Sequence, residues 1–140
     1  MKGETPQDKW RALNPEKRKE IIKRSSERQS TRWATDAAFR AKKNKQAREW
    51  QWRSYGILNV DGSTFTSIDY DRAYQIQSGR CLGCYRHQTE FKDRLSTDHN
   101  HITKIFRGLL CQGCNLVCGN AYDDPNTLER LSKYLRGDNE

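Results

Sequence analysis

The chain has 140 residues, of which 34% are hydrophobic and 31% charged, and its formal net charge is +8. At this length one small domain plus an appendage fit and a large core is excluded, because short chains bury a modest share of their surface. No run reaches the 18 or more apolar residues of a membrane span, and the start Met1-Lys2-Gly3-Glu4-Thr5-Pro6 lacks the apolar segment of a secretory signal, so a cytoplasmic protein without membrane contact is expected.

The charge is unevenly spread: residues 1–55 carry 16 Lys and Arg against 7 Asp and Glu, net +9, while residues 56–140 carry 10 against 11, net −1. Within the basic stretch, Thr5-Pro6-Gln7-Asp8 reads as a helix start, with Thr5 as N-cap, Pro6 at the first helical position and Asp8 in the capping-box slot. Asn14-Pro15-Glu16 repeats the signal. From Pro15 to about Arg53 the chain is rich in helix formers, with Ser25-Ser26 and Gln29-Ser30-Thr31 as expected breaks. Ala34, Ala37, Ala38 and Ala41 fall on one helical face, and Trp33, Trp50 and Trp52 are isolated aromatic anchors. The reading is a basic helical arm over residues 1–54 without a core of its own. Its candidate DNA contacts are Arg40, Lys42, Lys43, Lys45 and Arg48, since each cation that neutralises a phosphate releases a counterion. The competing reading is a solvated helical surface that serves solubility.

Residues 55–140 form the expected folded domain. Ile57-Leu58-Asn59-Val60 and Thr64-Phe65-Thr66 flank Asp61-Gly62-Ser63, a hairpin signal because Asp-Gly tolerates the positive φ angles of a type I′ turn. Ser67 to Ser78 reads as a helix, with Tyr70, Ala73, Tyr74 and Gln77 on one face and Gly79 as its stop. Leu95 to His101 and Ile105 to Leu110 read as two short strands joined by Ile102-Thr103-Lys104, with a helix from near Asn115. Asp124-Pro125 opens a last helix in which Leu128, Leu131 and Leu135 form a core-facing stripe beside Tyr134.

Two Cys-x-x-Cys pairs, Cys81-Leu82-Gly83-Cys84 and Cys111-Gln112-Gly113-Cys114, each place Gly before the second thiol, where its backbone freedom suits a tight turn. Two such turns close a tetrahedral Zn²⁺ site, structural because four sulfurs leave no open position. Reduced buried thiols or redox dithiols are the alternative. Cys118 is the spare, expected as a buried apolar residue, and His87 is expected as an exposed loop histidine. Asp98, His99 and His101 cluster between the pairs in a chain holding only three histidines. His101 should share a strand face with His99. Lys104 can reach a phosphate, and Arg107 either contacts phosphate or pairs inward.

Taken together, Cys81-x-x-Cys84, Asp98-His99-Asn100-His101, Arg107-Gly108-Leu109-Leu110-Cys111-x-x-Cys114-Asn115, Gly119 and Tyr134-Leu135 resemble the HNH nucleases, and within them the phage recombination endonuclease VII group. The resemblance covers roughly residues 68–135; Tyr55-Gly56-Ile57 also looks like a family segment, with Leu58 to Thr66 as an insertion. It implies an α+β fold: a small zinc-stapled ββα-metal (HNH, His-Me finger) domain over 55–140, preceded by the helical arm. It also implies His99 as general base, Asp98 and Asn115 as holders of a catalytic Mg²⁺ or Mn²⁺, and His101 in support on phosphate or metal. Asn100, Lys104 and Cys118 depart from the family pattern, which often has Asp, Gly and an apolar residue there. The chain closes soon after Leu135, short of the region with which the junction-resolving member dimerises, so four-way-junction specificity is not carried over. The expected function is a phage-encoded, metal-dependent DNA endonuclease acting in the host cytoplasm, with DNA as partner and a homodimer or a phage protein as further partners. The competing function is a non-catalytic zinc-ribbon DNA-binding module within a phage packaging or replication complex.

Overall fold

The computed structural model describes residues 5–138; residues 1–4, part of the start read above for a signal segment, lie outside the described residues. In chain order the elements are α1 (Pro6–Leu13), α2 (Pro15–Thr35), α3 (Ala37–Tyr55), α4 (Ser67–Ile76), β1 (Ser96–His99), β2 (Phe106–Leu110), α5 (Gln112–Asn120) and α6 (Pro125–Arg136), with a 3-10 turn at Gln88–Glu90. Contacts divide the chain into two units, Met1–Gln46 and Ala47–Glu140, with the boundary inside α3. No helix among the described residues is long and apolar enough to cross a membrane.

In the first unit, the Thr5 hydroxyl accepts the Asp8 N–H at 3.2 Å and the Asp8 carboxylate accepts the Thr5 N–H at 3.2 Å, the reciprocal cap expected for α1. The expected breaks in α2 do not occur. Its Thr31 and Thr35 hydroxyls donate back to the carbonyls of Glu27 and Thr31 at 3.0 and 2.9 Å, so these polar side chains are satisfied without leaving the helix. The break comes at Asp36, whose carboxylate accepts the Phe39 N–H at 2.8 Å and starts α3. This interrupts the alanine face between Ala34 and Ala37. Neither α1 nor α2 buries a residue.

The second unit has a core. Trp52, 6% exposed, meets Phe65 edge-on at 5.1 Å between ring centroids and stacks on Tyr70 at 5.8 Å, and Phe65 continues to Phe106 at 4.6 Å. The three tryptophans read as equivalent anchors are therefore unlike: Trp33 and Trp50 are exposed. Phe65 is among the most buried side chains, so the segment read as an insertion supplies core, as does Ile57 just before it. Burying such a side chain contributes about 1.5–3 kcal/mol. That segment is held at Leu58, which bridges both Thr64 and Ile105. Its turn is not type I′: Gly62 has φ +83°, Asp61 has no positive φ, and the Asp61 carboxylate accepts the Ser63 N–H at 2.9 Å.

Helix α4 starts on a reciprocal Thr66–Asp69 cap. It ends at Gln77, whose side-chain amide bonds both backbone groups of Leu109 at 2.9 and 3.0 Å and so ties α4 to β2. Gly79 follows with φ +67°; a Cβ there would come within 2.6 Å of His87 and 2.7 Å of Tyr74. Strands β1 and β2 are antiparallel, pairing Ser96 with Leu110 and Asp98 with Gly108, and the register shifts between Asp98 and His99. Helix α5 starts at Gln112, earlier than expected, because Cys111 serves as its N-cap. The leucine stripe of α6 does not face the core: Leu131 is 48% and Leu135 82% exposed, and α6 buries no residue. Helical periodicity states which residues share a face; it does not supply a surface to cover them.

Candidate active site

The sulfurs of Cys81, Cys84, Cys111 and Cys114 all lie within 4.8 Å of one another, with Cys84 and Cys111 at 3.8 Å. A tetrahedral tetrathiolate with metal–sulfur bonds of about 2.3 Å places its sulfurs about 3.8 Å apart. The donors therefore fit a metal ion. Gly83 donates its N–H to Cys81 Sγ at 3.3 Å and Cys114 its N–H to Cys111 Sγ at 3.5 Å. The Arg86 N–H and guanidinium lower the Cys84 thiol to about 6, while burial and the neighbouring sulfurs push the Cys114 thiol up. Four sulfurs this close resist sharing negative charge unless a cation lies among them.

The two knuckle glycines are not equivalent. A Cβ on Gly83 would sit 2.9 Å from Cys114 Sγ, so that position requires glycine for close approach, whereas Gly113 has open space, and neither has a positive φ. The turn freedom expected of both is thus not what selects them. Cys118 is half-buried against the core and outside the cluster. His87 is half-buried rather than an exposed loop residue; its Nδ1 lies 2.9 Å from Thr89 Oγ1, and it caps the 3-10 turn.

Beside the cluster, β1, the turn after it and the first turns of α5 bring Asp98, His99, His101 and Asn115 to one cleft of about 880 Å³. Asp98 is buried, and both its oxygens accept from Arg107, Nε to Oδ2 at 2.7 Å and Nη2 to Oδ1 at 2.9 Å. Of the two roles open to Arg107, inward pairing is the one observed. The same Nη2 donates to Asp123 Oδ1 at 2.8 Å, and Asp123 Oδ2 lies 2.7 Å from His101 Nδ1. A continuous polar chain thus runs from Asp98 through Arg107 and Asp123 to His101. These carboxylates raise the Arg107 guanidinium, and Arg107 in turn holds Asp123 below the usual carboxylate range.

His101 lies beyond the end of β1, not on a shared strand face, since the strand stops at His99. The two rings still meet edge-on at 5.1 Å, and Tyr55 stacks near His99 at 6.4 Å. The register shift beside His99 re-aims its side chain, as bulges do. Burial, then the neighbouring His101 and Lys104 side chains, lower the His99 pKa, so the imidazole is neutral at neutral pH. Asn100 accepts the N–H groups of Ile102 and Thr103 at 2.8 and 2.9 Å, closing the turn, and Lys104 takes φ +63° where glycine is the expected residue. Asp98 and Asn115 supply a carboxylate and an amide oxygen. Arg107 uses two of the roughly four lone-pair sites of the carboxylate, and the rest suit a hard divalent cation.

The expected DNA contacts separate. Lys42 and Lys45 are exposed, Lys43 lies 5.8 Å from the Phe39 ring, and Arg40 donates to the carbonyls of Trp33 and Ala34 at 2.7 and 2.9 Å. Arg48 and Lys104 line the cleft of the second unit. Two residues that sequence reasoning missed belong to this region. Asp123 sits between α5 and α6 with φ +56°, far along the chain from both partners, and no spacing marks it. Arg94 lines the cleft with its guanidinium 4.2 Å from the Tyr70 ring centroid.

Against known proteins, residues 48–137 match the model of a family described as recombination endonuclease VII. The chain is 40% identical over 96 residues to the Gene 59 protein of Mycobacterium phage D29, covering 66% of this chain and 53% of that protein. It is 36% identical over 92 residues to the Gene 59 protein of Mycobacterium phage L5, covering 65% and 52%. The chain spans about half the length of these curated relatives. No solved structure matches it.

Proposed function

Because the chain belongs to the recombination endonuclease VII family, we propose that it is a phage-encoded, metal-dependent DNA endonuclease of the HNH type. The observation that carries this reading is the convergence of Asp98, His99, His101 and Asn115 on one cleft inside the family segment. His99, neutral at working pH, takes a proton from water; the water oxygen bonds to phosphorus while the bond to the 3′ oxygen breaks. The leaving oxygen is protonated from solvent. Asp98 and Asn115 would hold Mg²⁺ or Mn²⁺, which when bound neutralises charge on the phosphate and leaving oxygen. Arg107 fixes the Asp98 carboxylate, and Asp123 occupies His101 Nδ1, leaving Nε2 as the ring nitrogen available to phosphate.

The four thiols would hold Zn²⁺ in a closed, structural site that joins the segment after α4 to the start of α5. Residues 1–54 would act as a basic arm that attracts DNA through its backbone charge. One observation favours the non-catalytic reading: Arg107 already pairs with both oxygens of Asp98. A plasmid-nicking assay with and without Mg²⁺, comparing wild type with His99→Ala, separates the two. Nicking that needs Mg²⁺ and is lost in the variant supports the nuclease; activity unchanged by His99→Ala refutes it.

A further inference from the structure

The cleft that holds His99 also holds two guanidinium groups that the chemistry above does not use, Arg48 from α3 and Arg94 from the segment before β1. Arg48 Nε is buried, and among the described residues it is the buried side-chain nitrogen or oxygen left without a hydrogen-bond partner. Buried donors are paired in nearly all folded proteins, so this guanidinium, which lines the cleft, is not fully satisfied by the described protein groups. Arg94 is exposed, and its guanidinium lies over the Tyr70 ring, 4.2 Å from the centroid. The same guanidinium also hydrogen-bonds the Tyr70 side chain, and its fork carries further N–H donors beyond that contact.

The local charge balance points the same way. Arg48, Arg94 and Lys104 line the cleft with a single carboxylate, Asp98, and that one is already paired with Arg107. Arg48 is disfavoured as a cation first by its burial and next by Arg94, with Tyr70, Asp71 and Glu49 acting in the opposite sense. Two like-charged forks on one wall, one with an unmet donor, match a tetrahedral oxyanion that accepts from both.

We propose that Arg48 and Arg94 form a second phosphate site, which binds a DNA backbone phosphodiester flanking the one presented to His99. The site rests on the nuclease reading above, and it makes the cleft wall, not only the basic arm, a determinant of where the substrate strand lies. Guanidinium forks select the phosphate by shape and charge and read no base.

The test measures binding of a short DNA duplex in the His99→Ala background, which keeps the substrate uncut, by fluorescence anisotropy across a range of salt. Arg48→Gln and Arg94→Gln are made singly and together, with metal content and circular dichroism as folding controls. Each substitution should lower the slope of log affinity against log salt by about one. A neutral methylphosphonate, moved one phosphate at a time along the strand, should weaken binding about tenfold at one position, and the double variant should lose that penalty. If Arg48→Gln fails to fold, the same scan on the exposed Arg94→Gln decides. An unchanged salt slope, or a methylphosphonate penalty that persists undiminished in the arginine variants, overturns the proposal. Failure of the nuclease reading looks different: the wild type does not nick in Mg²⁺, whatever the arginine variants do to binding.

Discussion

The two units of this chain meet water in opposite ways. Met1–Gln46 carries 14 Lys and Arg against 6 Asp and Glu, net +8, and none of its described residues is buried. Ala47–Glu140 carries 12 against 12, net zero, and contains the aromatic core, the thiol cluster and the cleft. The first unit is held by helix caps and surface pairs such as Lys19–Glu16 and Arg24–Glu20, each contributing a fraction of a kcal/mol or little more. The second is held by burial and by four converging sulfurs. Long-range attraction to a polyanion needs charge and tolerates loose geometry, whereas proton transfer needs groups held at fixed distances, and under the function proposed above the division of the chain would follow that difference.

The largest effect expected comes from the sulfurs. Structural zinc sites of this type contribute on the order of 10 kcal/mol, so Cys111→Ala or a strong chelator should abolish the cooperative melt and near-ultraviolet aromatic signal of the second unit. Much of the far-ultraviolet helical signal from α1 and α2 should survive. Loss of both signals together would mean that the helices of the first unit depend on the second for their folding. Next, His99→Ala should lower the nicking rate by roughly 10²- to 10⁴-fold with DNA affinity little changed, measured in single-turnover assays.

Packing sharpens the contrast further. Phe65→Ala, in the core, should cost about 3–5 kcal/mol in denaturant unfolding. Asp123→Asn should slow the reaction by on the order of tenfold, by releasing His101 and Arg107. Because the Asp123 carboxyl is depressed, its contribution to stability is present above the unfolded carboxyl value of about 3.9 and is lost as pH falls through the folded value. The gap in melting temperature between wild type and Asp123→Asn should therefore close on the acid side and not at high pH. Smallest of all, Ile21→Ala on the exposed surface of α2 should shift stability by no more than about 0.5 kcal/mol, and a larger loss would mean that α2 is covered in solution.

Much of this organisation was readable along the chain because the signals are local. The Thr5–Asp8 cap, the paired Cys-x-x-Cys turns and the Asp98-His99 pair each depend on neighbours a few residues apart. A local pattern misleads where its meaning is tertiary. Ser25-Ser26 resembles a break, yet α2 continues through it; Leu131 and Leu135 resemble a core face, yet they lie exposed. Phe65 lay in a stretch set aside as an insertion and proves central to the core.

Helix starts, the charge division and the membership of the thiol cluster are written in the chain, since these follow from backbone capping, side-chain charge and close spacing. The folded arrangement alone turns Arg107 inward to Asp98, carries the polar chain through Asp123 to His101, and brings Arg94 to the cleft beside Arg48. Such partners come from segments far apart in the chain, and their meeting depends on how the whole core closes, which no spacing in the sequence records.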